Sequence, residues 1–72
     1  MFTIEYVIVR RSKHPRVVER MVSEAVRLVY ADRVAKSLLD SVRERRPETP
    51  PDGYQILDNE QHVVLRSWQR QS

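Results

Sequence analysis

The sequence predicts a small α+β domain in which a four-stranded antiparallel sheet packs against one long helix, in the order ββαββ. Three observations lead to this prediction: an alternating apolar run at the N-terminus, a central span without proline or glycine, and two short apolar runs after a proline-rich segment. We expect residues 1–68 to form this single domain and the polar residues 69–72 to be a frayed tail.

The first strand is predicted over Phe2–Val9, which is rich in β-branched and aromatic residues. Alternation places Phe2, Ile4, Tyr6 and Ile8 on one face. The opposite face changes from polar to apolar along the strand, so we expect its far end to be covered on both sides. The charged segment that follows, Arg10–Pro15, is predicted to be a loop.

The central span, residues 16–46, is too long to be one helix. As one helix it would be roughly 46 Å long, whereas a compact chain of 72 residues has a radius of gyration of about 11 Å. We therefore divide it into a strand over Val17–Val22 and a helix over Glu24–Arg45, with Ser23 as the helix cap. The apolar positions at helical spacing form the predicted core stripe: Ala25, Leu28, Ala31, Ala35, Leu38, Leu39 and Val42.

A second reading of the central span remains open. Proline is favoured in the first turn of a helix, so a helix starting at Pro15 and bending near Tyr30–Asp32 into a second one would give the order βααββ.

The C-terminal third predicts a β-hairpin. A stiff connection, Pro47–Gly53, leads to strands over Tyr54–Leu57 and His62–Trp68, with Asn59 as the turn residue best able to adopt a positive φ. The residues expected to join the core or anchor the sheet edge are Tyr54, Ile56, Val64 and Trp68.

Composition points to a soluble, cytoplasmic domain. Of the 72 residues, 40% are hydrophobic and 32% charged, which is typical of neither a disordered chain nor a membrane protein. There is no cysteine, so disulfides and thiolate zinc sites are excluded. Because a core this small is marginal, oligomerisation is the most available source of further stability.

The sequence predicts neither catalysis nor a cofactor or metal. The only histidines, His14 and His62, fall in different elements, and no carboxylate completes a ligand set around either. No serine follows the pattern of a nucleophile elbow, and a chain with one glycine cannot build a glycine-rich phosphate loop. We therefore expect a non-enzymatic protein.

Positive charge is concentrated before residue 47. Residues 1–46 contain 11 Lys and Arg against 6 Asp and Glu, while residues 47–72 contain 2 against 4. The basic loop residues Arg10, Arg11, Lys13 and Arg16 are the expected contact for an acidic protein partner. Nucleic-acid binding through the same loop, residues 10–16, is the alternative function.

The predicted helix has more apolar residues than one core-facing stripe needs. Val26, Val29, Tyr30 and Val34 fall on the opposite flank and form the candidate dimer face. Packing of this flank on the proline-rich connection or on Trp68 is an equally open interpretation. The function that the sequence favours is a small protein-interaction module that forms a homodimer.

Overall fold

The computed structural model describes residues 1–9 and 15–68. Its elements are β1 (Phe2–Ile8), β2 (Arg16–Ser23), α1 (Leu28–Arg45), β3 (Gly53–Leu57) and β4 (Val63–Trp68). The predicted ββαββ order is confirmed. The two-helix alternative is wrong, because the residues after Pro15 form β2, an edge strand hydrogen-bonded to β1.

The four strands form one antiparallel sheet in the order β2-β1-β3-β4. At one end of the sheet, Ser23 of β2 pairs with Phe2 of β1. At the other end, Gly53 of β3 lies between Val7 of β1 and Trp68 of β4. The helix connects β2 to β3 and therefore begins near the first end and finishes near the second.

One face of the sheet packs against the helix, as the alternation in β1 predicts. Ile4 pairs with Ile56 and Tyr6 with Tyr54 across the two central strands, and all four side chains are buried. The two tyrosine rings meet edge to face, with centroids 6.1 Å apart. From the helix, the residues of the predicted stripe that are fully buried against them are Ala31, Ala35 and Val42.

The helix begins four residues later than predicted. β2 continues through Ser23, whose hydroxyl accepts a hydrogen bond from the backbone N–H of Ala25 at 3.3 Å. That bond closes a local turn rather than capping a helix. The N-cap is instead Arg27, which makes no side-chain capping bond, and the C-terminal end at Arg45 is as predicted.

The turn between β3 and β4 corrects two further predictions. Asn59 does not adopt a positive φ, whereas Gln61 does, at 66°. The Asp58 carboxylate accepts hydrogen bonds from the backbone N–H groups of Glu60 and His62. These bonds place the tightest part of the turn after Glu60, at Gln61. The strand accordingly starts at Val63 rather than at His62.

A bulge in the β3–β4 ladder changes which residue of β4 joins the core. The register shifts between Ile56 and Leu57, so Leu65 lies opposite Ile56 and packs on the core. Val64 is left exposed, and its predicted core position is wrong. By contrast, Val7 and Ile8 are both buried, which confirms that the far end of β1 is covered on both faces.

On the face away from the helix, a carboxylate is buried in the middle of the sheet. Glu5 is only 5% exposed and lies between its cross-strand neighbours Arg20 and Gln55. Arg20 Nε donates to Glu5 Oε2 at 2.8 Å, and Gln55 Nε2 donates to Glu5 Oε1 at 2.7 Å. Both carboxylate oxygens are therefore satisfied.

Candidate functional site

The solvent side of the helix carries a cluster of exposed apolar residues, which we call the outer patch. The exposed fractions are 89% for Val26, 53% for Val29, 52% for Tyr30 and 38% for Val34. Val26 lies just before α1 and the others in its first half. The candidate dimer face predicted from the sequence is thus exposed to solvent in the monomer.

Helical geometry explains how exposed each of these residues is. At about 100° per residue, Val29 and Tyr30 point away from the buried Ala31 and Ala35, while Val34 lies at the border of the buried stripe and is the least exposed of the four. The guanidinium of Arg33 lies 5.8 Å from the ring centroid of Tyr30, so this ring has a cationic neighbour on the patch itself.

In the described residues, the outer patch packs neither on the proline-rich connection nor on Trp68. Pro51 of the proline-rich connection is buried elsewhere, beside the end of β1, where the N–H of Asp52 donates to the carbonyl oxygen of Val7 at 2.8 Å. Trp68 lies at the end of β4, next to Gly53. Neither covers the outer patch.

Of the predicted basic site, Arg16 is the residue whose position is described. It is exposed, opens β2 and pairs with Ile8. Arg10, Arg11 and Lys13 lie outside the described residues.

A groove of about 590 Å³, which we call the sheet-end groove, lies between the helix and the ends of β3 and β4. No single sequence pattern indicates this groove. The lining residues that carry its chemistry are Lys36, Arg43, Gly53, Arg66, Ser67 and Trp68.

The sheet-end groove has an excess of positive charge, because its lining contains three cationic side chains and one carboxylate, Asp52. That carboxylate already accepts the backbone N–H of Val9 at 2.7 Å. Arg43 is held in place by its bond from Nε to the carbonyl oxygen of Pro51 at 2.9 Å. Among the described residues, Lys36 and Arg66 form no ion pair.

An aromatic surface adjoins these charges. The guanidinium of Arg66 lies 6.0 Å from the ring centroid of Trp68, which is half-buried. Arg66 pairs with Gln55, which bonds Glu5 on the sheet face away from the helix, so the side chains of Arg66 and Trp68 belong to that face. The groove, which also has Lys36 and Arg43 of the helix in its lining, therefore reaches them around the edge strand β4.

A smaller hollow of about 350 Å³ at the C-terminal end of the helix has a different electrostatic character. Both of its arginines pair with one carboxylate of β2, since Arg45 and Arg46 lie 2.7 Å and 3.4 Å from the oxygens of Glu19, and a second carboxylate, Glu48, is in the lining. This hollow therefore offers less free positive charge than the sheet-end groove.

The two buried tyrosines remain protonated at neutral pH. Burial, followed by the negative charge of Glu19, raises the pKa of Tyr6 to about 12. Burial, followed by the hydrogen bond that its hydroxyl donates to Asp32, raises the pKa of Tyr54 to about 12. Neither hydroxyl is poised for proton transfer near neutrality.

Within residues 1–9 and 15–68, no group of three or more histidine, aspartate or glutamate side chains is arranged to hold a metal ion. In the same residues, no helix has the length and apolar character needed to cross a membrane. The chain matches no protein-family model, no curated protein and no solved structure.

Two spacings in the sequence mark the sheet-end groove in retrospect. Lys36 and Arg43 are seven residues apart, which puts them on one side of a helix, and Arg66 and Trp68 are two apart on a strand. Neither pair indicates by itself that the other lies beside it. That information comes from the hydrogen bond of Arg43 to Pro51, two residues before Gly53, together with the pairing of Gly53 with Trp68.

Proposed function

We propose that the protein is a non-catalytic interaction module that forms a homodimer through the outer patch. The observation that carries the proposal is the exposure of three apolar residues in the first half of α1 and of a fourth, Val26, just before it. Contiguous apolar surface of this kind marks interaction sites in small proteins. A second copy also supplies the burial that a single core of this size lacks.

The spacing within the outer patch supports a second copy as the occupant. The pair Tyr30 and Arg33 and the pair Val29 and Val34 share one midpoint along α1. If two helices pack antiparallel about a twofold axis through that midpoint, Val29 of one copy lies level with Val34 of the other at the edges of the contact. Tyr30 faces Arg33, which makes the contact self-complementary.

The expected dimer is weak. The helix has 18 residues and is therefore about 27 Å long. One side of a helix of this length buries less surface than the roughly 800 Å² per partner of a standard interface. We expect dissociation in the micromolar range.

Sedimentation equilibrium over a range of concentrations tests the dimer. The 8.6 kDa chain should approach twice its mass at tens of micromolar. Val34→Glu, which places a charge in the outer patch, should return it to a monomer. Val22→Glu is the matched control, because Val22 is 64% exposed but lies on edge strand β2, and it should leave the dimer intact. A wild-type monomer throughout, or dissociation by the control alone, would contradict the proposal.

Cysteine cross-linking tests the antiparallel arrangement, since the chain contains no cysteine of its own. Two Arg33 positions would be separated by about 4.5 Å along the axis and two Ser37 positions by about 16 Å. Arg33→Cys should therefore form an intermolecular disulfide under mild oxidation, while Ser37→Cys should not. The reverse result would rule out this register.

A further inference from the structure

We propose, beyond the dimer, that the sheet-end groove binds single-stranded nucleic acid, with its cations contacting phosphates and Trp68 stacking on a base. The geometry combines the two features that such sites need, an electropositive groove and an aromatic surface. No side chain of the outer patch lines this groove, so the two proposals concern different surfaces.

The cations of the groove are available to an anionic ligand. Lys36 and Arg66 have no carboxylate partner among the described residues. Arg43 is held by backbone carbonyls of the β3 connection, and its nearest carboxylate, that of Asp40, lies 3.6 Å away at an exposed position. Arg43 is thus a positioned charge, and Lys36 lies about 10 Å from it along the helix axis. This separation allows contacts to more than one phosphate.

Trp68 distinguishes the groove from a purely electrostatic patch. Trp68 is half-buried and lines the groove, and the guanidinium of Arg66 lies 6.0 Å from its ring centroid. Bases stack on aromatic rings whatever their sequence, whereas an acidic peptide gains nothing comparable from an indole. The combination therefore favours nucleic acid over an acidic protein as the ligand.

Two readouts test the proposal directly. The first is the anisotropy of a labelled oligothymidylate or oligouridylate of about 12 nucleotides, which is within the range that one small domain covers. The second is the intrinsic fluorescence of Trp68, the only tryptophan in the chain, which stacking on a base should quench. We expect binding in low salt that weakens steeply as salt increases.

Variants locate the binding. Lys36→Gln and Arg66→Gln should each weaken binding and reduce the slope of log K against log salt by about 0.7. Arg27→Gln is the matched control, because Arg27 is exposed and precedes α1 near the opposite end of the sheet, and it should change neither. Trp68→Ala should weaken binding by roughly 5- to 150-fold. Trp68→Phe, which retains a ring, should recover part of that loss.

Several outcomes would overturn the proposal. One is the absence of any anisotropy change in low salt with wild-type protein that is folded by circular dichroism. Another is an equal effect of Lys36→Gln and Arg27→Gln, which would make the attraction general rather than local. A third is binding of polyglutamate with the same dependence on Lys36 and Trp68 while oligonucleotides do not bind, which would identify an acidic protein as the ligand.

Discussion

The hydroxyl of Tyr6 in the central strand β1 donates a hydrogen bond to the carbonyl oxygen of Ala35 in the helix, at 2.9 Å. Both residues are fully buried. The bond joins the middle of the sheet to the middle of the helix and fixes how the two layers sit against one another. The small side chain of Ala35 allows the helix to come close enough for it.

Replacing Tyr6 by Phe should lower the free energy of unfolding by about 0.5–1.5 kcal/mol, the usual net contribution of one hydrogen bond. Urea denaturation followed by circular dichroism measures the change. Tyr30→Phe is the control, because the Tyr30 ring is 52% exposed and its hydroxyl has no hydrogen-bond partner among the described residues. Equal stabilities for the Tyr6 and Tyr30 variants would show that the buried bond contributes nothing.

Stability should fall at alkaline pH because of the two buried tyrosines. The pKa of both Tyr6 and Tyr54 is raised from 10.0 to about 12 in the folded protein, by burial in the first place. The folded state therefore holds these protons more tightly than the unfolded state does. The resulting stability is fully present below pH 10 and is lost as the pH rises through about 12.

Urea midpoints measured from about pH 9 to about pH 11.5 test this dependence. The wild-type midpoint should decrease over that interval, and Tyr54→Phe should make the decrease shallower by removing one of the two groups. Parallel curves for the wild type and Tyr54→Phe would contradict a role for the buried hydroxyls.

The polar group at the centre of the open sheet face should also be sensitive to substitution. Arg20→Ala leaves the buried Glu5 carboxylate with Gln55 as its only described partner. We expect a loss of about 1–3 kcal/mol in the free energy of unfolding, the cost of an unsatisfied buried polar group. Arg20 is itself largely exposed, so the loss comes from Glu5 rather than from buried arginine.

Arg45→Ala is the matched control for Arg20→Ala. Arg45 also pairs with a poorly exposed carboxylate, that of Glu19, but Glu19 keeps Arg46 as a second partner at 3.4 Å. The control should therefore cost less than Arg20→Ala. If Arg45→Ala lowers the free energy of unfolding more than Arg20→Ala does, the ion pair between the helix end and β2 contributes more to stability than the polar group around Glu5.

The order of elements was predictable because each has a strong local signal. β1 is rich in β-branched and aromatic residues and alternates in its first half, the helix has a core stripe at helical spacing, and prolines separate the helix from β3. The errors all arise where a polar side chain or a bulge competes with a local pattern. Ser23 closes a turn instead of capping a helix, Asp58 moves the positive φ to Gln61, and a bulge exchanges Val64 for Leu65.

The candidate surfaces differ in how far the sequence could reveal them. Three of the four outer-patch residues lie within α1, so helical periodicity alone separates Val29 and Tyr30 from the buried Ala31 and Ala35. The sheet-end groove combines residues from the helix, β3 and β4. Its recognition depends on the sheet order β2-β1-β3-β4, which no local pattern specifies.

Gly53 is the only glycine of the chain and lies at the sheet-end groove. Its φ is not positive, so glycine is required there because a side chain has no space. A Cβ at Gly53 would lie 2.6 Å from the Cβ and 2.7 Å from the Cα of Trp68, and would also meet the carbonyl oxygen of Ser67. Gly53→Ala must therefore push the end of β4 away from β3. We expect a cost of about 1–3 kcal/mol, larger than the gain of about 0.4–1 kcal/mol from a less flexible unfolded chain.

Making Gly53→Ala in two proteins, the wild type and Trp68→Ala, identifies which atoms cause the loss of stability. The close atoms are the backbone and Cβ of Trp68 and the backbone of Ser67, and all of these remain in Trp68→Ala. Gly53→Ala should therefore cost nearly the same in the wild type and in Trp68→Ala, as measured by urea denaturation followed by circular dichroism. A much smaller cost in the Trp68→Ala background would mean that the indole, not the close approach of the two strands, excludes a side chain at residue 53.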